Sequence, residues 1–288
     1  MGLEIDGRWL KSGVRDVRIT DSDFHAIQLA GLSVHGRYLP FDPRCGRTDV
    51  VIDGVRLWDD AGDPRLVNEH SGSGIVLSNV RCGAIRRCVA WNNGAASRNR
   101  LGGPYGIWTW DADIVHMERS ASFAKRTASN ADGGGFDFDG GTSHFRMCDI
   151  VEFDNDGAGV LIAQFTYAVQ LHDDLKERHV SIDDGRKNGF GAFTAWGAVA
   201  DTELQNSVLS MRSTTAAKPS GVQVYTNWWK HWWEEGLSRN ISVGNSLVFL
   251  GPGVGRLNIE PGVVGLDVDG ALGIQLRDDE MLRAAAPR

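Results

Sequence analysis

The stretch that decides the fold is Asp-Gly-Gly-Gly-Phe-Asp-Phe-Asp-Gly-Gly, residues 132–141, and residues 154–159 echo it as Asp-Asn-Asp-Gly-Ala-Gly. Glycine beside aspartate or asparagine is typical of tight turns. Within the first stretch, Phe136 to Asp139 alternate apolar and acidic residues as a half-buried strand does. Two such units so close together predict short strands that stack on one another.

A similar unit recurs along much of the chain. A glycine followed by apolar residues of a strand occurs at Gly74, Gly106, Gly135, Gly159, Gly191 and Gly221. Successive glycines of this set lie 24 to 32 residues apart, which is the period of a solenoid. Between them, apolar strands end in Asn/Asp turns within residues 88–93, 150–156 and 179–184. Strands and turns fill each period, so the sequence predicts an all-β parallel β-helix.

Two other all-β folds compete with this prediction. A sandwich requires hairpin signals between matched alternating strands, and none is found; a propeller requires four strands in roughly 40 residues. The β-helix is therefore favoured as a single domain over residues 1–288. We expect an insertion at about residues 35–70 and a Trp-rich excursion at residues 227–236, which covers one side of the helix or makes an oligomer contact.

Composition excludes several classes of partner. The formal net charge is −7 and no basic stripe is present, so nucleic-acid binding is not expected. No run approaches the roughly 18 apolar residues of a membrane span. The four cysteines have no Cys-x-x-Cys spacing, and we expect them to be small buried residues, with two disulfides as the open alternative.

Strand alternation predicts which side chains face the core. Taking the residue after each marker glycine as inward gives a column of Ile75, Ile107, Phe136, Val160, Ala192 and Val222. A second inward column follows two residues later as Leu77, Thr109, Phe138, Ile162, Thr194 and Val224. The outward columns are then Val76, Trp108, Asp137, Leu161, Phe193 and Gln223, followed by Ser78, Trp110, Asp139, Ala163, Ala195 and Tyr225.

This outward face has the composition of a sugar-binding groove. Aromatic rings flanking a carboxylate pair suit a glycan, since pyranose C–H faces stack on rings while hydroxyls bond to acids. We expect Asp137 and Asp139 to be catalytic. The expected substrate-binding residues are Trp108, Trp110, Phe193, Trp196, Tyr225 and Gln164. Packing of these aromatics under a loop is the open alternative.

The turns carry a second group of acids. Three residues before the marker glycines stand Asp132 and Asp156, which would lie on adjacent coils. Two close carboxylates favour a shared proton or a cation, so Asp156 joins the catalytic candidates. Ca²⁺ would suit Asp132, Asp154 and Asp156 as an all-oxygen site. A turn ladder with no metal is the alternative.

These motifs resemble a known group. The Gly-Phe-Asp-Phe-Asp-Gly-Gly segment and the Asn-Asp-Gly-Ala-Gly turn are similar to those of right-handed parallel β-helix proteins of the pectate-lyase-like superfamily, over about residues 74–226. Asn130-Ala131-Asp132-Gly133 is similar to the Asn-x-Asp-Gly of polygalacturonase-type hydrolases. The Gly-His-Gly and Arg-x-Lys elements of those enzymes are missing. The resemblance implies a carbohydrate-active protein, secreted or periplasmic, and leaves the reaction open.

Three functions follow for a polysaccharide or oligosaccharide ligand. A glycoside hydrolase would use paired Asp residues as acid and base and requires no cofactor. A polysaccharide lyase or epimerase would use Ca²⁺ and a Lys or His base, for which Lys125 is a candidate. A non-catalytic glycan-binding β-helix would use the aromatics alone. The negative net charge favours a neutral glycan and hence the hydrolase.

Overall fold

The computed structural model describes residues 1–7, 14–36, 47–100, 102–164, 174–212, 220–225, 238–268 and 271–275. In these ranges the regular elements are 25 β-strands, and their pairings are parallel. This part of the chain includes no helix long and apolar enough to cross a membrane. The stacked parallel strands confirm the parallel β-helix.

The strands form three faces. Face 1 is a sheet of nine strands, β1 (Leu3–Asp6), β4 (Ala30–His35), β7 (Ser73–Ser78), β10 (Tyr105–Trp110), β13 (Gly134–Phe138), β15 (Val160–Gln164), β17 (Phe193–Gly197), β20 (Ser220–Tyr225) and β23 (Gly255–Ile259). Face 2 contains β2 (Val17–Thr20), β5 (Arg47–Asp53), β8 (Arg81–Arg86), β11 (Asp113–Glu118), the first part of β14 (Arg146–Phe153), the first part of β16 (Asp174–Ile182), β18 (Ala200–Gln205), β21 (Arg239–Gly244) and β24 (Val264–Asp267). Face 3 contains β3 (Asp23–His25), β6 (Arg56–Trp58), β9 (Val89–Trp91), β12 (Ala121–Phe123), the second parts of β14 and β16, β19 (Val208–Met211), β22 (Ser246–Leu250) and β25 (Ala271–Gln275). Faces 2 and 3 make one 16-stranded sheet because β14 and β16 run through both.

Regular coils extend into the expected insertion. Strands β5 and β6 lie within residues 35–70 and pair with strands of neighbouring coils. Residues 37–46 and the expected Trp-rich excursion at 227–236 lie outside the described residues.

The core follows the predicted alternation over the four coils that contain β7, β10, β13 and β15. Ile107 pairs with Ile75 on one side and Phe136 on the other, and Phe136 pairs with Val160. All four side chains are fully buried. Phe138 also stacks on Phe145, with ring centroids 3.6 Å apart. The predicted inward columns are therefore correct in this region.

The register changes in β17. Val160 and Val222 pair with Phe193, not with Ala192. The predicted outward position of Phe193 is therefore wrong: its side chain is fully buried in the core. Thr194 and Ala195 also exchange sides, because Thr194 pairs with Leu161 and Gln223. The cause is one extra residue between the marker glycine and the first paired residue of the strand, which reverses every side chain after it.

Asparagine and aspartate make the turns that the sequence predicts. Asn92, Asp154 and Asp183 follow the strands of face 3 with φ of 52°, 60° and 55°. These residues tolerate the left-handed region better than other side chains do. Inside the coil, Asn93 and Asn155 accept hydrogen bonds from the backbone N–H groups of the preceding coil. Side-chain amides thus connect successive coils.

The interior also contains charged residue types that sequence alternation does not reveal. Glu152, His179, Lys125 and Lys176 are all fully buried. His179 Nε2 contacts Glu152 Oε1, and the Lys176 ammonium lies 4.5 Å from the ring centroid of Phe145. Cys88 is buried while Cys82 and Cys148 are half-buried, and all three are free thiols.

Candidate functional site

Two carboxylates lie at the end of β13, on the outer side of face 1. Asp137 pairs with Trp108 on one coil and with Leu161 on the next. Asp139 follows the paired residue Phe138, and its backbone N–H donates to the Thr109 carbonyl at 2.8 Å. Asp137 thus lies in β13, and Asp139 directly follows the end of that strand two residues further along.

Asp137 is buried although it points out of the coil. Its side chain is 4% exposed, and Oδ1 has no hydrogen-bond partner among the described residues. Burial raises its pKa well above the ordinary value, and the nearby charges of Asp139 and Asp132 raise the pKa further. Both effects favour the protonated form of the Asp137 carboxyl group.

The pKa of Asp139 is also raised, but by less. It is half-buried, and its Oδ1 accepts a hydrogen bond from the Gly140 N–H at 2.8 Å. Burial raises its pKa to about 7; the Gly140 hydrogen bond acts against this and the Asp132 charge adds to it. Near neutral pH this carboxyl is therefore divided between its acid and base forms.

Asp132 completes an acidic cluster of three residues. Its backbone is left-handed, with φ of 48°. Its Oδ2 accepts the Gly103 N–H and its Oδ1 lies 3.4 Å from the Tyr105 hydroxyl, which donates to it. Burial raises the pKa of Asp132, while the Gly103 hydrogen bond and the neighbouring His70 oppose the rise.

Sequence reasoning missed two members of this site. Tyr105 is 1% exposed, and burial together with the charges of the three acids raises its pKa well above 10. The His70 ring lies 4.9 Å from the Trp108 ring, and its Nδ1 donates to the Gly103 carbonyl at 3.1 Å. Tyr105 stands directly before a marker glycine, which could have drawn attention to it. His70 precedes its strand and carries no repeat signal.

The predicted sugar-binding residues divide into two groups. Trp110, Trp196 and Tyr225 are half-buried on the outer side of face 1, where Trp196 pairs with Ala163 and Tyr225. Trp108 is 5% exposed and donates from Nε1 to Ser73 Oγ at 3.1 Å.

The remaining polar candidates have protein partners. Gln164 is 2% exposed and its Oε1 accepts the Gly141 N–H at 3.1 Å. The Tyr225 hydroxyl accepts from Asn258 Nδ2 at 2.6 Å. Tyr225 is half-buried, whereas Gln164 supports the turn that follows Asp139.

Arginines contact the acids of the second turn. Asp154 contacts both Arg126 and Arg186. Asp156 accepts the Thr127 N–H at 3.1 Å and lies 3.7 Å from Arg126. Within the described ranges, no group of three His, Cys, Asp or Glu residues has the arrangement to hold a metal ion.

Lys125 does not belong to the outer face. It is fully buried, and its Nζ donates to the Gly72 carbonyl. Burial lowers its pKa well below 10.5. The burial separates Lys125 from any ligand bound on the outside of the coil.

The arrangement defines a β-helix with a cluster of coupled carboxyl groups on its outer face. No protein-family model matches the sequence, and no curated protein matches it.

Three solved structures are similar in architecture. The endo-xylogalacturonan hydrolase of Aspergillus tubingensis has 13% identity and a TM-score of 0.36, over 90% of this chain and 82% of that chain. The family 28 exopolygalacturonase of Yersinia enterocolitica has 10% identity and a TM-score of 0.35, over 81% of this chain and 45% of the other. The A-module of the mannuronan C-5 epimerase of Azotobacter vinelandii has 10% identity and a TM-score of 0.31, over 92% and 79%. Similarity at this level says nothing about the reaction or the substrate of this chain.

Proposed function

We propose that this chain is a carbohydrate-active enzyme, a glycoside hydrolase in which Asp137 and Asp139 are the catalytic carboxyl groups. One observation carries the proposal: Asp137 is buried, points outward and has a carboxyl oxygen without a partner among the described residues. Burying an acid costs free energy unless its polar atoms are satisfied. Groups of this kind cluster at functional sites.

The two pKa values divide the roles. Asp137, whose protonated form is favoured by burial and by the neighbouring acids, donates its proton to the glycosidic oxygen. Asp139, with a pKa of about 7, supplies the carboxylate that removes a proton from the attacking water. The Cα atoms of residues i and i+2 in a strand are about 6.5–7 Å apart, which suits the roughly 5–9.5 Å between paired carboxyls in glycosidases.

The surroundings suggest how a glycan is held. Trp110, Trp196 and Tyr225 lie in one outward column with Asp139, and strands in the column are spaced about 4.8 Å apart. Sugar rings stacking on these side chains would place a glycosidic bond beside the acid pair. The net charge of −7 and the three acids favour a neutral glycan over a polyuronate.

Asp156 and Ca²⁺ remain parts of the proposal that the hydrolase does not require. The hydrogen bond from the Thr127 N–H gives Asp156 a turn-stabilising role beside the one we predicted in catalysis. Ca²⁺ at Asp132, Asp154 and Asp156 would have to compete with Arg126 and Arg186 for Asp154. No step of the proposed hydrolysis depends on the ion.

The experiment compares Asp137→Asn and Asp139→Asn with the parent protein on a panel of neutral and uronic-acid polysaccharides. Release of reducing ends measures hydrolysis. We expect each variant to remain folded and to lose activity at least about a hundredfold, the scale for losing a general acid or base. Asp149→Asn is the matched control, because Asp149 lies on β14 away from face 1 and pairs with Arg178. It should keep the parent rate.

Other products would identify the alternatives. Unsaturated uronate products absorbing in the near ultraviolet would indicate a lyase, and inversion at C5 of a uronate, followed by NMR, would indicate an epimerase. Binding without turnover in the parent would leave a glycan-binding protein. Parental turnover by both Asn variants would refute the assignment of Asp137 and Asp139.

A further inference from the structure

The outer side of face 3 is apolar over six successive coils. Each of its strands β9, β12, β14, β16, β19 and β22 places two side chains outward on this face. These twelve positions are Val89, Trp91, Ala121, Phe123, Val151, Phe153, Val180, Ile182, Val208, Ser210, Leu247 and Phe249. Only Ser210 is polar, so we name this surface the apolar face.

The outer side of face 2 has a different composition. Arg86, Glu118, Arg146 and Glu177 occupy outward positions of face 2 on neighbouring coils. Arg86 pairs with Glu118 at 3.1 Å, and Arg146 pairs with Glu177 at 2.7 Å. The same coils thus carry ion pairs on one side and hydrophobic residues on the other.

The apolar residues are accessible. Val151, Phe153 and Leu247 are 41%, 37% and 38% exposed, and they are three of the five large hydrophobic residues classed as exposed in the described part of the chain. Contiguous exposed apolar surface of several hundred Å² marks an interaction site in soluble proteins.

The rings of the face are arranged in a ladder that does not suit a sugar. The Trp58 and Trp91 rings are 4.9 Å apart at 9°, and the Phe123 and Phe153 rings are 4.5 Å apart at 5°. Trp91 and Phe123 connect these two pairs at 6.0 Å. The ring faces therefore cover one another and only ring edges point outward. Pyranose stacking requires exposed ring faces, so the ladder fits an apolar protein surface instead.

The borders of the face carry ion pairs. Asp149 pairs with Arg178 at 2.6 Å along one border, and Asp183 pairs with Arg212 at 2.6 Å along the other. An apolar centre with a polar rim is the usual anatomy of a protein interface. Because the rim charges are neutralised within the chain, the surface selects for flat apolar shape and not for a charged partner.

We propose that the apolar face is the contact surface between two copies of this chain. A second copy offers the same flat ladder with the same spacing between coils, and two-fold symmetry makes such a surface self-complementary. At about 4.8 Å per coil and two residues in width, the face supplies roughly 500 Å² per copy. The total of about 1,000 Å² is at the lower limit for a specific interface, so the dimer is reversible.

Sedimentation velocity on the complete chain from about 1 to 300 µM tests the proposal, because a reversible dimer responds to concentration. Val151→Lys and Leu247→Lys place a charge at outward positions without entering the core. Each should raise the dimer dissociation constant at least about tenfold, since charge is excluded from interface centres. Val264→Lys is the matched control, because Val264 is 59% exposed but lies on β24 of face 2 and should leave the dissociation constant unchanged.

Three results would overturn the proposal. The parent could remain monomeric over the whole range, as it would if another segment of the chain covered the face. The Val151→Lys and Leu247→Lys proteins could dimerise as the parent does. The control could weaken the dimer as much as they do. Each variant's melting temperature is measured alongside, and the outcome is independent of whether Asp137 and Asp139 hydrolyse a glycan.

Discussion

Replacing Asp139 by Asn should stabilise the protein at alkaline pH while it removes activity. An amide has nearly the shape of the carboxyl group and never ionises. The parent protein must ionise Asp139 in a half-buried site beside Asp132 and Asp137, and this lowers its stability. A residue kept for stability would behave in the opposite way.

The sign follows from the raised pKa. Below the ordinary value of 3.8, Asp139 is protonated in both the folded and the unfolded chain and costs nothing. Between 3.8 and about 7 the unfolded chain loses the proton first, so the free energy of unfolding falls as pH rises. Above about 7 the loss is complete, and a shift of this size corresponds to about 4 kcal/mol.

Part of this loss is already present at pH 5. From the raised pKa alone, the free energy of unfolding should fall by about 3 kcal/mol between pH 5 and pH 8. Solvent screening at a half-buried site reduces this loss to about 2 kcal/mol. For a chain of 288 residues, the melting temperature of Asp139→Asn relative to the parent should therefore rise by about 3 °C between the two pH values.

Thermal melts of both proteins at pH 5 and pH 8 provide the measurement. Asp149→Asn is the control with the opposite sign, because Arg178 lowers the pKa of Asp149 and the substitution removes a favourable ion pair. That variant should gain no stability at either pH. If Asp139→Asn gained nothing at pH 8 relative to pH 5, the raised pKa and the acid–base pair built on it would be refuted.

Three further predictions concern the core and the alternatives to the hydrolase. Phe193→Ala should cost about 3–5 kcal/mol through the cavity that it leaves, whereas Thr194→Ala on the outer side should cost much less; equal effects in urea denaturation would contradict the register of β17. Lys125→Met should leave glycan turnover unchanged because Lys125 is fully buried. A loss of turnover in a folded variant would instead support a lyase in which Lys125 is the base. If Ca²⁺ is bound at Asp132, Asp154 and Asp156, a chelator should lower the melting temperature, since an ion bound only to the folded state stabilises it. An unchanged melting temperature would contradict this Ca²⁺ site.

The fold could be predicted because its signals are local. Marker glycines, alternating strands and Asn/Asp turns repeat at each coil, and each has a backbone reason. The register of β17 could not be predicted in this way. Ala192 stands between Gly191 and Phe193 there, and this single extra residue changes every orientation that follows. Only pairing with Val160 and Val222 in neighbouring coils determines it.

About half of the candidate site could be predicted from the sequence in the same way. Asp137 and Asp139 follow from alternation within one strand, since acidic residues at outward positions beside tryptophan are unusual. Tyr105 reaches Asp132, and His70 reaches Gly103, only because coils about 30 residues apart stack on one another. A pattern read along the chain carries no information about which loop residue folds over which strand.

A raised pKa does not by itself identify the working acids, as Asp184 demonstrates. Burial raises the pKa of Asp184 well above 3.8, as it does for Asp137. Asp184 lies inside the coil, where its oxygens accept from the Asn155 amide at 2.7 Å and from the Ser181 hydroxyl at 2.6 Å. Its hydrogen bonds are complete and serve the stacking of coils. Asp137 combines the same burial with an outward direction and an oxygen without a partner among the described residues. That combination, and not the pKa alone, is the reason for proposing Asp137 as a catalytic acid.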